Sequence, residues 1–431
     1  MPRSKNVFNR GFSALLVTQF FGAVNDNILK QVIILAVASG GIWASQLGDG
    51  GQAYVALCLT IPFILFSGTA GQVADRISKS RITVWAKIIE VGLAFLALGA
   101  FWAGSLNACL VLMILLATQS AFFGPAKYGM IPELVDDGAL SKANGTINMF
   151  TNLAVIGGTL AAGMVYAKYA SGTPVDGQPA SNTLWVPGVV LIVIAIIGLL
   201  PSLLIPKLKN FDQSLPIDLN PFRPYFQALR EMAGSSLLLV AMAWGFFYLL
   251  GMMALLVLPD FSELLRISPE MNNNLLGVLG ITIGIGSVVA GLISGKHIEP
   301  RLIPVGAVGM TVFFSLLGLV PLDFWTVAGL LGGAGFCAGF YIVPLQALLQ
   351  HLSPPNERGR FLGTANALSF VFSSLGAVLV RFFRNQFEMA ANHVFLMIGG
   401  LAIVGSGLLL WRIRELLVDP SIRKAETEEN L

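Results

Sequence analysis

The segment QFFGAVNDNILKQVIILAV, residues 19–37, is long enough to cross a bilayer and carries a carboxylate, Asp26, near its middle. Asn25 and Asn27 flank it, and Lys30 follows one helical turn later. A charged side chain at that depth costs about 2.5–3.5 kcal/mol on insertion scales, so it faces a cavity or a partner rather than lipid. Asp26 and Lys30, acid first and four apart, share one helix face. One reading is therefore a local ion pair that only lowers the cost of insertion. The other turns Asn25, Asp26 and Asn27 toward a central cavity, where they bind a polar head or a coupling cation with Lys30 as partner. Hard cations take carboxylate and amide oxygens. Sodium near Asp26 is thus a candidate occupant, but one carboxylate does not make a sodium site, and no metal is assigned.

The rest of the chain suits such a segment. Of 431 residues, 55% are hydrophobic and 11% charged, against about 25% charged in a soluble domain. Residues 235–258, 302–322, 324–350, 361–380 and 394–411 contain no Asp, Glu, Lys or Arg, and uncharged runs beyond about 18 residues read as membrane helices. Unpaired backbone in lipid excludes irregular spans, and the alternating ten-residue strands of a barrel are absent. The expected helices are 12–38, 52–75, 82–103, 107–127, 141–169, 183–205, 235–259, 273–295, 302–321, 324–350, 360–384 and 392–412.

Twelve spans place both termini and the even-to-odd connections on one side. Arg3, Lys5, Arg10, Arg76, Lys79, Arg81, Lys207, Lys209, Arg358 and Arg360 fall there, while Lys168, Arg266, Arg381 and Arg384 fall opposite. The excess of positive charge predicts cytoplasmic termini. The first span follows a basic N-terminus without a small-residue cleavage site and is read as retained. The hydrophilic connection 206–234, with Pro206, Pro216, Pro221 and Pro224, divides the chain. The expected parts are a first six-helix bundle at 1–205, a cytoplasmic linker at 206–234, a second bundle at 235–415 and a cytoplasmic tail at 416–431. Cys58, Cys109 and Cys337 lack metal or disulfide spacing and read as small apolar residues.

The halves repeat. Gly71 and Gly291, and Arg81 and Arg301, each stand 220 apart, and Pro125 and Pro344 stand 219 apart. Asn144 in KANGT and Asn366 in TANAL then begin the fifth and eleventh spans. Two pseudo-symmetric six-helix halves with substrate handled between them is a transporter design. Lys127 and Tyr128, after Pro125, suit either a lysine snorkelling to the interface or a phosphate contact. Glu90, one turn after Lys87, reads as a local pair or a bundle contact. Gln19, Gln119, Asn148, Asn152, Gln346 and Asn366 read as interhelical hydrogen-bonding groups. The glycine strings 280–291 and 332–339 lie inside spans with no preceding strand, so they serve helix packing and not nucleotide binding. No Walker sequence and no catalytic constellation is present, so neither an enzyme, a cofactor nor a nucleic-acid partner is expected; a gradient of Na+ or H+ is the candidate drive.

The string GQVADRISKSR, 71–81, resembles the loop between the second and third helices of the major facilitator superfamily. That resemblance implies that Gly71, Asp75, Arg76 and Arg81 latch the two bundles in the outward-facing state. QFFGAVNDNILKQ, GQVADR, FFGPAKYGMIPEL, LSKANG and YIVPLQALLQ together resemble the bacterial lysophospholipid transporter (LplT) family. This implies inward movement of lysophosphatidylethanolamine and lysophosphatidylglycerol across the bacterial inner membrane for reacylation, among membrane lipids. Asp26 and Asn27 match that family's DN pair and Lys127 its PAKYG lysine. The seventh span is uncharged, whereas some relatives place a basic residue there. Relatives are also found fused to acyltransferase and acyl-carrier-protein synthetase modules. Too few residues follow Trp411 for such a domain, so that partner is expected on a separate chain unless this chain is a piece of a longer one. The alternative is a proton-coupled drug or metabolite exporter on the same fold. It is weakened because the fourth span lacks arginine and IGGTLAAG in the fifth lacks proline.

The charge distribution makes a testable statement about sidedness. Single cysteines placed before Arg10 and in the connection 103–107 should label from the cytoplasmic and the opposite face, respectively, with an impermeant maleimide. Labelling of both from one face would overturn the assignment.

Overall fold

In a computed structural model, the described residues are 6–48, 51–172, 182–208, 218, 220–387 and 389–418. Every regular element among them is a helix. Residues 419–431 of the expected tail, and 209–217 and 219 of the linker, lie outside the described residues. The first elements are α1 (Arg10–Val37), the short α2 (Ala44–Leu47), α3 (Gly51–Arg76), α4 (Lys79–Trp102), α5 (Leu106–Leu134), α6 (Leu140–Ala170) and α7 (Val186–Ser202). There follow α8 (Arg223–Met232) in the linker, α9 (Leu237–Val257), the short α10 (Phe261–Leu265), α11 (Pro269–Ile293), α12 (Leu302–Leu319), α13 (Phe324–Leu352), α14 (Arg358–Phe387) and α15 (Ala391–Val418).

Eleven of the helical stretches are long and apolar enough to cross a membrane. The twelfth, α7, is shorter than the sequence suggested, at 17 residues. At about 1.5 Å per residue it is still near the lower limit for a span. The fourth span is longer than expected and runs past Pro125 to Leu134. A proline in the membrane does not end a helix if neighbours satisfy the backbone groups that it frees. Pro344 likewise sits inside α13, and both prolines are buried. Caps hold helix starts where their free N–H groups need acceptors. Asn9 Oδ1 accepts from Phe12 N at 3.0 Å. Asp323 Oδ1 accepts from Trp325 N at 2.9 Å and Thr326 N at 3.1 Å, and Oδ2 from Thr326 Oγ1 at 2.6 Å. The Thr326 hydroxyl first, and then the backbone donors, hold the exposed Asp323 carboxyl below its ordinary range.

The helices group into two compact units. One holds Phe8–Met130 and Ala154–Phe222, and the other Met1–Val7, Ile131–Leu153 and Arg223–Leu431. The boundary cuts α6, whose first half groups with residues of the C-terminal half of the chain. In the first unit an apolar core is built from α1, α3, α4, α5, α6 and α7. At one end Phe101 stacks on Trp43 with centroids 6.3 Å apart, and Tyr169 donates its hydroxyl to Phe101 O at 3.1 Å. The cysteines form no disulfide; Cys109 is buried and the others are half-buried.

In the second unit, small residues let α11 and α13 approach closely. A Cβ on Gly339 of α13 would meet the backbone of Gly286 and Ser287, whereas one on Gly329 would meet nothing within 4 Å. Alanine favours a helix over glycine by about 1 kcal/mol, so only the crowded position should suffer. Gly339→Ala is expected to lower the unfolding temperature and the folded yield in detergent. Gly329→Ala should leave them unchanged or raise them. Equal losses would remove close packing as the reason for the glycine string.

Candidate functional site

Three consecutive polar residues on α1 point about 100° apart and so serve three neighbours. Asn25 is buried and donates Nδ2 to Glu90 Oε1 on α4 at 3.2 Å. Asp26 turns to α5, where Ser120 Oγ stands 3.0 Å from its Oδ2 and 3.2 Å from Gln119 Oε1. That hydroxyl has one hydrogen, and the carboxylate is the stronger acceptor. Asn27 donates to Ala23 O at 2.7 Å and accepts from Lys30 Nζ at 2.9 Å. The spacing of Asp26 and Lys30 allowed a local ion pair, but the ammonium goes to the Asn27 amide oxygen instead. Gly158 of α6 makes room for this turn, since a Cβ there would lie 3.0 Å from both Asn27 Cβ and Val24 O. Two buried oxygens of the cluster, Asn25 Oδ1 and Asp26 Oδ1, have no hydrogen-bond partner.

A second charge pair lies behind α1. Lys87 Nζ is 2.5 Å from Glu90 Oε2, and both residues are 1% exposed. The ammonium also lies 5.4 Å from the centre of the Phe123 ring. It lies against α1 where Gly22 has no side chain; a Cβ at that position would strike Nζ. Lys127 Nζ, on α5, sits 4.3 Å from the centre of the Tyr128 ring and 5.9 Å from that of Phe123. Ring faces attract a cation but do not neutralise it, and Lys127 has no carboxylate within ion-pair distance among the described residues. Asn25 and Glu90 further border a cavity of about 10 Å³, otherwise lined by apolar residues such as Leu29, Leu93, Leu112 and Leu191. That is room for about one water.

Asn25, Asp26, Asn27, Lys30, Lys127 and Tyr128 thus lie in one unit, and Asp26 bonds Ser120 on α5, the helix that also carries Lys127 and Tyr128. The structure adds Lys87, Glu90 and Ser120 to the cluster. A charged pair inside a span was a visible signal for the first two; nothing in the sequence singled out Ser120. No group of three or more His, Cys, Asp or Glu side chains that could hold a metal occurs among the described residues.

The string 71–81 covers the last turns of α3, the two-residue connection 77–78 and the first turn of α4. Gly71 and Asp75 are buried, Arg76 is half-buried and Arg81 is exposed. Ala74, Ile82 and Ala126 pack together, fastening the loop to α4 and α5. Ser78 Oγ donates to Leu208 O at 2.9 Å, so the start of the linker is tied to the same loop.

The other unit has a polar seam of its own between the first half of α6 and α13. Asn144 Nδ2 donates to Gln350 Oε1 at 2.8 Å, and Gln350 Nε2 returns a bond to Asn144 Oδ1 at 3.0 Å. One turn along, Asn148 Nδ2 donates to Gln346 Oε1 at 2.8 Å. All four residues are buried. The i, i+4 spacing on two antiparallel helices places the rungs in register.

A family model described as Major Facilitator Superfamily matches residues 15–377 and 240–429. The chain belongs to the major facilitator superfamily. Its helices form the facilitator fold, an all-α membrane architecture of paired six-helix bundles. The lysophospholipid transporter LplT of Photorhabdus laumondii is 28% identical over 360 residues, covering 80% of this chain and 81% of that protein. LplT of Cronobacter sakazakii is 27% identical over 440 residues, covering 96% and 100%. Among solved structures, the human organic anion transporter MFSD10 superposes with a TM-score of 0.73 at 14% identity, covering 93% of this facilitator and 99% of that chain. A bacterial homologue of the iron transporter ferroportin, in an outward-facing state, gives 0.66 at 12% identity, covering 92% and 96%. At these identities the structures speak for the fold alone. The facilitator is a multi-pass membrane protein whose family and structural neighbours are transporters.

The amide seam offers a direct stability test. Gln350→Leu strands Asn144 Oδ1, whereas Nδ2 keeps its bond to Leu140 O at 2.9 Å, and a stranded buried polar group costs about 1–3 kcal/mol. It should lower the unfolding temperature in detergent, and Asn144→Leu/Gln350→Leu should recover part of the loss. A double variant less stable than the sum of the singles would contradict the pairing.

Proposed function

We propose that this facilitator is a lysophospholipid flippase. It would carry lysophosphatidylethanolamine and lysophosphatidylglycerol from the outer to the inner leaflet of a bacterial inner membrane, with both termini cytoplasmic. There an acyltransferase with an acyl-carrier-protein synthetase would reacylate them. The observation that carries this reading is the pair of unmet groups in one unit. Asp26 Oδ1 is a buried acceptor with no donor, and Lys127 is a cation cradled by rings with no carboxylate beside it. A lysophospholipid headgroup is complementary to both. Its phosphate suits the Lys127 ammonium, a point-charge phosphate binder. Its other end offers N–H donors from ethanolammonium or O–H donors from glycerol to Asp26. Lys30 and the amides of Asn25 and Asn27 complete the polar surface, and Tyr128 shapes the cradle.

The charge inventory favours an anionic group over a metal cation. Lys30, Lys87 and Lys127 outnumber Asp26 and Glu90, and like charges at these distances repel. Coupling to Na+ near Asp26 is the weaker proposal for that reason. The names of the relatives point to the same substrate class. An exporter coupled to protons draws support from neither α5, which lacks arginine, nor IGGTLAAG in α6. The loop bearing Gly71, Asp75, Arg76 and Arg81 would act as the conformational latch of such a cycle.

Proteoliposomes loaded on one side with labelled lysophosphatidylethanolamine test this. Asp26→Asn and Lys127→Met should each cut the initial flipping rate by roughly tenfold or more, with folded yield preserved. Wild-type rates in Asp26→Asn would take Asp26 out of the mechanism. Absence of flipping by the wild-type protein would end the lipid reading.

A further inference from the structure

A carboxylate that is to serve a substrate must not already be spent on a neighbouring lysine. Lys87 Nζ sits against Gly22, one helical turn before Asp26 on the same face of α1. Lys87 is fully enclosed: it sits against the bare backbone of Gly22 on one side and over Phe123 on another. A buried ammonium in this position must find an anion, because an unpaired buried charge is strongly unfavourable. Two carboxylates are at hand, and the one that Lys87 takes is Glu90, at 2.5 Å. Glu90 also receives Asn25 Nδ2 through its other oxygen. It thus fixes the α1 residue next to Asp26 while occupying the lysine behind it.

We propose that Glu90 is a positioning residue of the transport site. By pairing with Lys87 it keeps that ammonium off Asp26 and so leaves the enclosed acceptor Asp26 Oδ1 unclaimed for a headgroup donor. Asn25, held by the same carboxylate, sets the rotation of α1 that directs Asp26 toward Ser120. Neither Glu90 nor Lys87 contacts the substrate. The inference rests on the reading of Asp26 as a headgroup acceptor and specifies what keeps it available.

The arrangement makes the effect of Glu90 on affinity conditional on Lys87 among variants of equal stability, whereas a purely structural pair would move stability and not affinity. Binding of lysophosphatidylethanolamine to the detergent-solubilised protein is measured by titration calorimetry, with thermal unfolding of each variant as the control for folding. Glu90→Gln keeps an acceptor for Asn25 but frees Lys87, and its affinity should fall by roughly tenfold as Asp26 is drawn to the lysine. Lys87→Met/Glu90→Gln removes the competing ammonium, and its affinity should return to within about threefold of wild type. A folded Glu90→Gln that binds normally, or a double variant that binds no better than it, overturns the proposal. If Glu90→Gln does not fold, Glu90→Asp and the double variant decide. Both should bind as wild type, and a loss in either overturns it. Asp26→Asn separates the two levels: normal binding there sinks the headgroup reading itself. Lost binding there with normal binding in Glu90→Gln sinks only the role of Glu90.

Discussion

Hydrocarbon offers a polar side chain no water, so every amide, hydroxyl and charge inside a span must be met by the protein or left with a purpose. Most of this molecule obeys the first alternative. Thr83, Thr118, Thr146, Thr151 and Thr282 return their hydroxyls to carbonyls one turn back on their own helices. Tyr169 and Tyr341 reach backbone oxygens on other helices at 3.1 Å. Among the exceptions are Thr18 Oγ1, Ser141 Oγ, Asn272 Oδ1 and Ser287 Oγ, and, on adjacent residues of α1 beside a charged cluster, Asn25 Oδ1 and Asp26 Oδ1.

The cluster around Asp26 combines this shortage of donors with a surplus of positive charge. Its parts are held by different means. Lys30 is steadied by an amide oxygen, Lys87 by a carboxylate and Lys127 by aromatic rings. These partners differ in how much of the lysine's charge they cancel. A carboxylate cancels nearly all of it, an amide dipole part, and a ring quadrupole little. The graded neutralisation leaves a site that is cationic at Lys127 and acceptor-rich at Asp26, a polarity that matches a phosphodiester with a donor at its far end.

The architecture was legible in the sequence because membrane spans are set by length and hydrophobicity, and these can be read residue by residue. The errors lie where a local rule was overruled by neighbours. Pro125 marked the inner part of the fourth span, and its end was set at 127, but α5 continues to Leu134. At the site, Asp26, Asn25, Lys30 and Lys127 were visible as polar residues in apolar runs. Their partners were not. The i, i+4 geometry favoured Asp26 with Lys30, yet Asn27 takes the lysine at i, i+3, and Asp26 is served by Ser120, 94 residues away. A serine in a span carries little hydropathic signature, and Gly22 reads as any helix-packing glycine until Lys87 is seen against it. Asn148 and Gln346 were identifiable as hydrogen-bonding groups, Asn144 only as the start of the fifth span and Gln350 not at all, and which residue bonds to which depends on the register between two helices far apart in the chain.

The seam between α6 and α13 is built wholly from neutral amides. Surface ion pairs weaken as electrolyte rises and change with acidity, but carboxamides neither titrate in the physiological range nor attract counterions. These amide bonds are therefore indifferent to the ionic composition of the surrounding fluid. To part these bonds the two helices must shift against each other, since no change of protonation breaks them.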